Sequence, residues 1–163
     1  MATPVVRTLD ATDARILLAL DEDTLATTVG LARRLGLARN TVQARLRSLE
    51  GTPGLQHPSS RVSPASLGRP IVAFVTLVIS QGDIETITAQ LSQVPEVLEM
   101  HAVTGDGDIL AKVVARDPVD LHRVTRRLLE VPSVVRSSTA MAAVELVAPR
   151  SAPLLRELAE GRG

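Results

Sequence analysis

The stretch LARRLGLARNTVQARLRSLE, residues 31–50, predicts two short helices separated by a tight turn. Gly36 lies where the first helical pattern stops, and glycine readily takes the positive φ that commonly closes a helix. A helical period then resumes, in which Val42, Leu46 and Leu49 form one apolar stripe. Two helices joined by a short glycine-containing turn are typical of a helix-turn-helix motif.

The second feature of this region is its charge. Residues 24–49 include five arginines and no acidic residue, although the formal net charge of the chain is zero. A rotation of about 100° per residue places polar side chains of the second helix opposite the stripe centred on Val42. Arg can form paired hydrogen bonds with guanine, and Asn or Gln with adenine. We therefore expect double-stranded DNA to contact the following residues: Arg33, Arg34, Arg39, Asn40, Thr41, Gln43, Ala44 and Arg47.

An alternative interpretation of the same residues is an arginine-rich, solvated pair of helices in a small all-α domain. Arg45 differs from the other arginines because it lies beside the apolar stripe, so we predict that it anchors its helix to an acid or a carbonyl group. Upstream, Asp10 is predicted to cap a first helix, and Asp13 favours the positive end of that helix dipole. These patterns predict a three-helix DNA-binding domain over residues 1–51.

Two sets of short motifs follow one another along the chain. The first comprises Leu9-Asp10 with Asp13 and Ile16-Leu17, then Leu31-Ala32 with Leu35-Gly36-Leu37, then Val42, Arg45-Leu46 and Leu49-Glu50. The second comprises Val103-Thr104-Gly105-Asp106 with Asp108. In this order they resemble the feast/famine regulators of bacteria and archaea, the Lrp/AsnC family, over nearly the whole chain. The resemblance implies a sequence-specific transcriptional regulator whose C-terminal domain binds an amino acid.

Three positions depart from the usual pattern of that family. Ala38 stands where the family usually has Ser or Thr, and loss of the capping hydroxyl would cost about 1 kcal/mol of helix stability. Leu25 stands where the family usually has Arg. Residues 51–58 contain two prolines in place of the usual Gly-aromatic step and strand. Because proline removes a backbone donor from a sheet, we expect a degenerate wing, and the sequence leaves open whether DNA binding is weakened by it.

The composition changes between the two halves of the chain. Residues 51–70 contain four prolines, four serines and three glycines and have little helical period, which is typical of a linker. We predict a DNA-binding domain over 1–51, a linker with a degenerate wing over 52–70, a dimerisation and effector-binding domain over 71–149, and a tail over 150–163. The tail is interpreted as a short packing helix, with a frayed end as the alternative.

The second half of the chain reads strand, helix, strand, strand, helix, strand. The strands are predicted at Ile71–Ile79, 97–103 and Ile109–Ala115, with a last strand or strand pair over 134–147, and the helices begin near Ile84 and at Pro118. This order is typical of the βαββαβ ferredoxin-like fold. The fold class is therefore α+β, with an N-terminal three-helix domain and a C-terminal ferredoxin-like domain.

The predicted strands are apolar on both sides. In Ile71–Ile79 nearly every residue is apolar, whereas a sheet with one solvated face shows polar residues at alternate positions. Helices can cover only one face of this sheet, so the best cover for the second face is an identical sheet. We therefore predict an obligate homodimer, and the resemblance also implies assembly of dimers into tetramers or octamers.

The loop Thr104-Gly105-Asp106-Gly107-Asp108 is the second candidate site. Between two strands it predicts a hairpin turn in any case. Backbone N–H groups of such a turn can hold a carboxylate, and Asp106 or Asp108 can hold an ammonium group. A free amino acid carries both a carboxylate and an ammonium group, so it is the predicted effector.

The resemblance adds further residues to this candidate effector site. It places the loop at a contact between dimers where effector amino acids bind, and Ser138 and Thr139 match positions near that pocket. Met100 and His101 flank the region and are weaker candidates.

No cofactor or metal site is predicted. The loop lacks the distant bidentate Glu of an EF-hand, the three histidines share no metal-ligand spacing, and cysteine is absent. One Phe and no Trp or Tyr argue against RNA or single-stranded nucleic acid as the main partner. No apolar run reaches about 18 residues and no signal-peptide pattern is present, so we expect a cytoplasmic protein without a membrane partner.

Two alternative functions remain open. A ligand-independent architectural DNA-binding protein would share the fold and differ only in its indifference to amino acids. A small ferredoxin-like enzyme is the other alternative. The sequence contains no visible set of nucleophile, base and orienting group, so no catalytic residue is predicted and we do not expect an enzyme.

Overall fold

A computed structural model describes residues 8–50, 58–80 and 82–161. The chain divides into two compact units, Met1–Arg61 with Val147–Gly163 and Val62–Leu146, which we call the helical unit and the sheet unit. Residues 51–57, where the sequence predicts the degenerate wing, lie outside the described part of the chain.

The elements follow the predicted order of helices and strands. They are α1 (Ala11–Glu22), α2 (Thr28–Leu35), α3 (Arg39–Glu50), β1 (Ile71–Ile79), α4 (Ile84–Leu91), β2 (Val97–Ala102), β3 (Ile109–Ala115), α5 (Pro118–Leu129), β4 (Val134–Met141) and α6 (Ala152–Ala159), with short 3-10 turns at Pro58–Arg61 and Pro64–Leu67. The α+β class and the βαββαβ order are thereby confirmed. Of the helices described, none is long and apolar enough to cross a membrane.

Local hydrogen bonds determine where the first two helices begin and end. The N–H of Asp13 donates to Asp10 Oδ1 at 2.9 Å, and the N–H of Asp10 donates to Asp13 Oδ2 at 3.3 Å, which confirms the predicted cap as a reciprocal capping box. The Thr27 hydroxyl caps α2 by accepting from the N–H of Gly30 at 3.1 Å. α2 ends at Gly36, whose φ of 66° confirms the predicted turn.

Apolar stripes from α1, α2 and α3 meet in the core of the helical unit. The buried side chains include Ile16 and Ala19 of α1, Leu31 and Ala32 of α2, and Val42 and Leu49 of α3. Full burial of one large aliphatic side chain contributes about 1.5 to 3 kcal/mol. The predicted stripe on the third helix is confirmed, with Leu46 half-buried at its edge.

The sheet unit contains one antiparallel sheet with the strand order β2-β3-β1-β4. Alternate side chains of the two central strands are fully buried against α4 and α5, namely Ala73, Val75 and Leu77 of β1 and Ala111 and Val113 of β3. Because successive side chains of a strand point to opposite faces, the remaining side chains of these strands lie on the other face of the sheet.

The last strand is shorter than predicted. The sequence predicts β-structure over residues 134–147, but β4 ends at Met141. The N–H of Ala142 still donates to the carbonyl of Val72 at 2.9 Å. β1 begins directly after Pro70, which has no N–H to offer, so the ladder between these two strands stops there. The prediction is therefore wrong for the second half of that range.

A buried acid fastens α5 to the rest of the sheet unit. Glu96, in the loop before β2, accepts from Arg123 Nη2 at 2.7 Å and lies 3.5 Å from Arg127 Nη1 and 3.6 Å from Arg69 Nη2. We call these four residues the Glu96 cluster. Burial raises the pKa of Glu96, but the contacts with its arginines hold that pKa below the ordinary value.

Candidate functional site

The third helix separates its apolar side chains from its polar ones. Val42 is fully buried and Leu49 nearly so, which shows that this side of α3 packs against the rest of the helical unit. The side chains of α3 that the sequence assigns to DNA contact are all exposed: Arg39, Asn40, Thr41, Gln43, Ala44 and Arg47. α3 therefore presents one continuous polar surface to solvent, which we call the reading surface.

Arg45 holds α3 to the beginning of α1. Its Nη1 lies 2.5 Å from Asp10 Oδ2 and 3.3 Å from Asp13 Oδ1, and the Asp13 side chain is fully buried. The predicted anchoring role of Arg45 is confirmed. A hydrogen bond from the backbone N–H of Asp13, together with the contact to Arg45, holds the pKa of Asp10 below its ordinary value. A buried carboxylate without such partners would be costly, so this contact specifies how α3 lies on α1.

The arginines of α2 lie in different surroundings. Arg33 is exposed, and Arg34 forms an ion pair with Glu22 at the end of α1. Exposed pairs of this kind contribute about 0 to 1 kcal/mol, so a phosphate group could displace Glu22 at little cost. Arg15, which the sequence analysis did not single out, donates from Nη2 to the carbonyl of Leu35 at 2.7 Å and thereby holds the end of α2. Its helical position gives no signal of this distant partner.

The loop between β2 and β3 is a hairpin turn, as predicted. The N–H of Val103 donates to the carbonyl of Asp108 at 3.0 Å, and the N–H of Asp108 donates to the carbonyl of Leu77 at 2.9 Å. Asp108 Oδ2 accepts from the N–H of Ile79 at 2.8 Å, so its carboxylate ties the loop to β1. A Cβ on Gly107 would lie 2.2 Å from the Thr76 methyl carbon, so only glycine fits there.

The tip of this loop offers backbone donors. Gly105 has a φ of 119°, which favours glycine, and Thr104 and Asp106 are exposed on either side of it. In the described part of the chain, the N–H groups of residues 104–107 have no hydrogen-bond acceptor. Arg136 of β4, which the sequence analysis missed, donates from Nη2 to the carbonyl of Asp106 at 3.4 Å. The tip thus combines free N–H groups with one exposed carboxylate.

The four strand residues predicted to lie near the effector do not share one surface. Met100 packs on the helix-covered core, whereas His101 lies on the other face, with Nε2 2.6 Å from Glu99 Oε1. Ser138 lies opposite Thr76 in the register of the sheet, and Thr139 follows it and points to the opposite face. β2 and β4 are three strand spacings apart, about 14 Å, so one amino acid could not touch both His101 and Ser138 within a single chain.

One face of the sheet has no helix packed on it among the described elements. This open face comprises Val72, Phe74, Thr76 and Val78 of β1, Leu110 and Lys112 of β3, and Arg136, Ser138 and Ala140 of β4, whereas Val114 of β3 is buried. Phe74, the only aromatic residue, is 41% exposed, and Lys112, the only lysine, lies opposite it in the register. Among the described residues, no group of three or more acids and histidines is placed to hold a metal ion.

Comparison with known proteins matches both units. The AsnC-type helix-turn-helix domain matches residues 9–50, and the Lrp/AsnC ligand binding domain matches residues 72–151. A proline dehydrogenase transcriptional activator from Rhodobacter capsulatus is 29% identical over 150 residues, which are 90% of this chain and 97% of that protein. The HTH-type transcriptional regulator AldR from Mycolicibacterium smegmatis is 30% identical over 120 residues, 72% of this chain and 70% of that protein.

The fold also matches that of solved structures. A transcriptional regulator from Neisseria meningitidis, solved in complex with L-Met, has a TM-score of 0.74 and 29% sequence identity to this chain. The match covers 86% of this chain and 94% of that one.

Proposed function

This chain belongs to the Lrp/AsnC family of DNA-binding transcriptional regulators, and we propose that it recognises its operator with the reading surface of α3. The observation that carries the proposal is the division of that helix. Val42 is buried, whereas Arg39, Asn40, Gln43 and Arg47 are exposed and have the chemistry to pair with guanine and adenine. Arg33 and Arg34 on α2 supply further positive charge for the phosphate backbone.

A second copy of the chain is part of this proposal. Packing two open faces together would cover apolar side chains such as Phe74 and Leu110, which the helices leave without cover. Two reading surfaces related by a two-fold axis could then contact successive major grooves, about 34 Å apart. The proposal includes further assembly of such dimers, up to octamers, and a DNA partner is consistent with a cytoplasmic protein.

An amino acid is the proposed effector, bound at the tip of the loop between β2 and β3. The free N–H groups of residues 104–107 suit its carboxylate, and the exposed Asp106 suits its ammonium group. Asp108 has its carboxylate committed to β1, and Met100 and Thr139 point to the helix-covered side of the sheet. These three residues would therefore act only indirectly. The complex of the Neisseria meningitidis regulator with L-Met supports this class of ligand.

The experiment that tests the DNA function is fluorescence anisotropy with the DNA upstream of the protein's own coding sequence. The purified protein is titrated against this duplex and a scrambled duplex at one fixed salt concentration, because the phosphate contribution depends strongly on salt. Preference for the upstream duplex that changes with one of the twenty amino acids would support both parts of the proposal. Preference that no amino acid changes would favour an architectural DNA-binding protein, and equal affinity for both duplexes would contradict the proposed recognition of an operator by α3.

The effector site has its own test in Gly105→Val. The positive φ of Gly105 disfavours a β-branched side chain, so the variant should distort the tip of the loop. We expect it to lose its response to the amino acid while DNA affinity without effector is retained. Gly68→Val is the matched control, because Gly68 also has a positive φ, of 73°, and lies away from the loop in the sequence. An unchanged response in Gly105→Val would remove the loop from the proposal.

The enzyme alternative is not supported. The relatives are named as transcriptional regulators, and the matched family consists of regulators and not of enzymes.

A further inference from the structure

The first helix of the helical unit is buried on two sides. Ala14 and Ile16 both have no exposed side-chain area, yet two residues along a helix point about 160° apart. One side of α1 faces the core formed with α2 and α3. α6 also packs along α1, and among the described elements it is the one that remains to cover the side carrying Ala14. α1 therefore lies between the recognition motif and α6.

α6 has the pattern of a packing helix. Leu155 and Leu158 are half-buried with Ala152 and Ala159, whereas Leu154 is 68% exposed. This spacing gives one apolar side over eight residues. An isolated helix of that length is unstable in water, so α6 depends on its contact with α1.

α1 in turn contacts the recognition helix α3, so the packing of α6 on α1 affects the position of α3. α1 holds α3 through the contacts of Asp10 and Asp13 with Arg45, and it holds the end of α2 through the hydrogen bond from Arg15 to the carbonyl of Leu35. A displacement of α1 would move both of these attachments. The position of the reading surface therefore depends on the helix that packs on the opposite side of α1, which is α6.

Neither matched family region includes α6. The helix-turn-helix region ends at residue 50 and the ligand-binding region at residue 151, whereas α6 spans Ala152–Ala159. The chain leaves the helical unit at Arg61 and returns to it at Val147. We infer that α6 is the fourth helix of the DNA-binding unit, and that Leu155 and Leu158 position the recognition helix through α1. The DNA-binding part of this inference rests on the proposed function.

The first test compares Leu158→Asp with Leu154→Asp. Both place a charge on α6, but only the first places it at the half-buried side. Hydrogen exchange followed by mass spectrometry should show loss of amide protection in α1 and α3 of Leu158→Asp, on the order of ten-fold, with β1 and β3 unchanged. Leu154→Asp should exchange like the unmodified chain. Full protection of α1 and α3 in Leu158→Asp would overturn the inference, and this readout needs no DNA.

The second test separates positioning from mere stabilisation. Leu158→Ala, well below its unfolding temperature, should lose roughly ten-fold in preference for upstream over scrambled DNA, a loss of about 1.4 kcal/mol. The affinity of Leu158→Ala for scrambled DNA should be unchanged. The conservative variant Leu158→Met should keep the preference of the unmodified chain. A lower unfolding temperature with unchanged DNA preference would overturn the positioning role. If the unmodified chain shows no preference, the proposed function fails, and the exchange experiment alone decides whether α6 belongs to the unit.

Discussion

The helical unit and the sheet unit both bury acidic side chains, but they hold them in opposite ways. In the helical unit one arginine, Arg45, forms ion pairs with two acids, Asp10 and Asp13. In the sheet unit one acid, Glu96, forms ion pairs with the three arginines of the Glu96 cluster. Loss of an arginine should therefore harm the first unit far more than the second. The stability of each arrangement depends on its shared member.

Arg45→Ala is the change that should have the largest effect. It would leave the buried Asp13 carboxylate without its arginine, and breaking such a pair costs about 3 kcal/mol. We expect α1 and α3 to unfold at lower urea concentration, measured by circular dichroism and hydrogen exchange. Arg47→Ala, on the exposed side of the same helix, is the control and should unfold like the unmodified chain. Equal midpoints for Arg45→Ala and the control would contradict the anchoring role.

The corresponding change in the sheet unit is Glu96→Gln. The amide keeps the shape of the side chain but removes the charge that three arginines share, and the loss of charged hydrogen bonds should cost about 2 kcal/mol. Arg127→Ala should cost less than about 1 kcal/mol, because its side chain is partly exposed and two arginines remain. Protection of the β1 and β3 amides measures both effects. A larger loss in Arg127→Ala would reverse the comparison between the two units.

Arg47→Ala should change DNA binding without changing stability. Arg47 is exposed on the reading surface, so its removal should cost about 1 to 3 kcal/mol of discrimination between bases. Anisotropy at constant salt, with the upstream and scrambled duplexes, measures this loss. If Arg47→Ala keeps the full preference, Arg47 does not read the operator.

The smallest effect expected is the contribution of Asp10 to the pH dependence of the stability of the helical unit. Its folded pKa lies below the unfolded value of about 3.9, so its stabilisation is complete above that pH and is lost as the pH falls through the lower folded value. In Asp10→Asn the unfolding midpoint should therefore fall less steeply between about pH 5 and pH 2 than in the unmodified chain. An unaltered slope in Asp10→Asn would contradict this contribution of Asp10.

The helical unit could be predicted from its sequence in some detail because its signals are local. The cap at Asp10, the turn at Gly36 and the buried stripe through Val42 each depend on neighbours within one or two helical turns. The anchoring role of Arg45 followed from its angle relative to that stripe, although its partners lie 35 and 32 residues away. Helical periodicity identified the outward surface correctly, while contact with DNA remains a prediction.

The positions of the candidate effector residues in the sheet could not be predicted from the sequence, because they depend on the pairing of strands. The register of β2 shifts between Val97 and Glu99, and this shift decides which face receives Met100 and which receives His101. A pattern of apolar residues does not reveal such an irregularity. The contact between Arg136 and Asp106 likewise brings together residues 30 positions apart. The contact of α6 with α1 spans nearly the whole chain, and the sequence offered only its amphipathic spacing.

The return of the chain to the helical unit also determines the order in which a growing polypeptide can fold. Residues of α1, α2 and α3 leave the ribosome first, but α6 leaves it last, after every strand of the sheet unit. Domains generally fold as units while the chain is being synthesised, and here the first unit to emerge is the last to be complete. A nascent chain can therefore complete its sheet before α6 packs on α1.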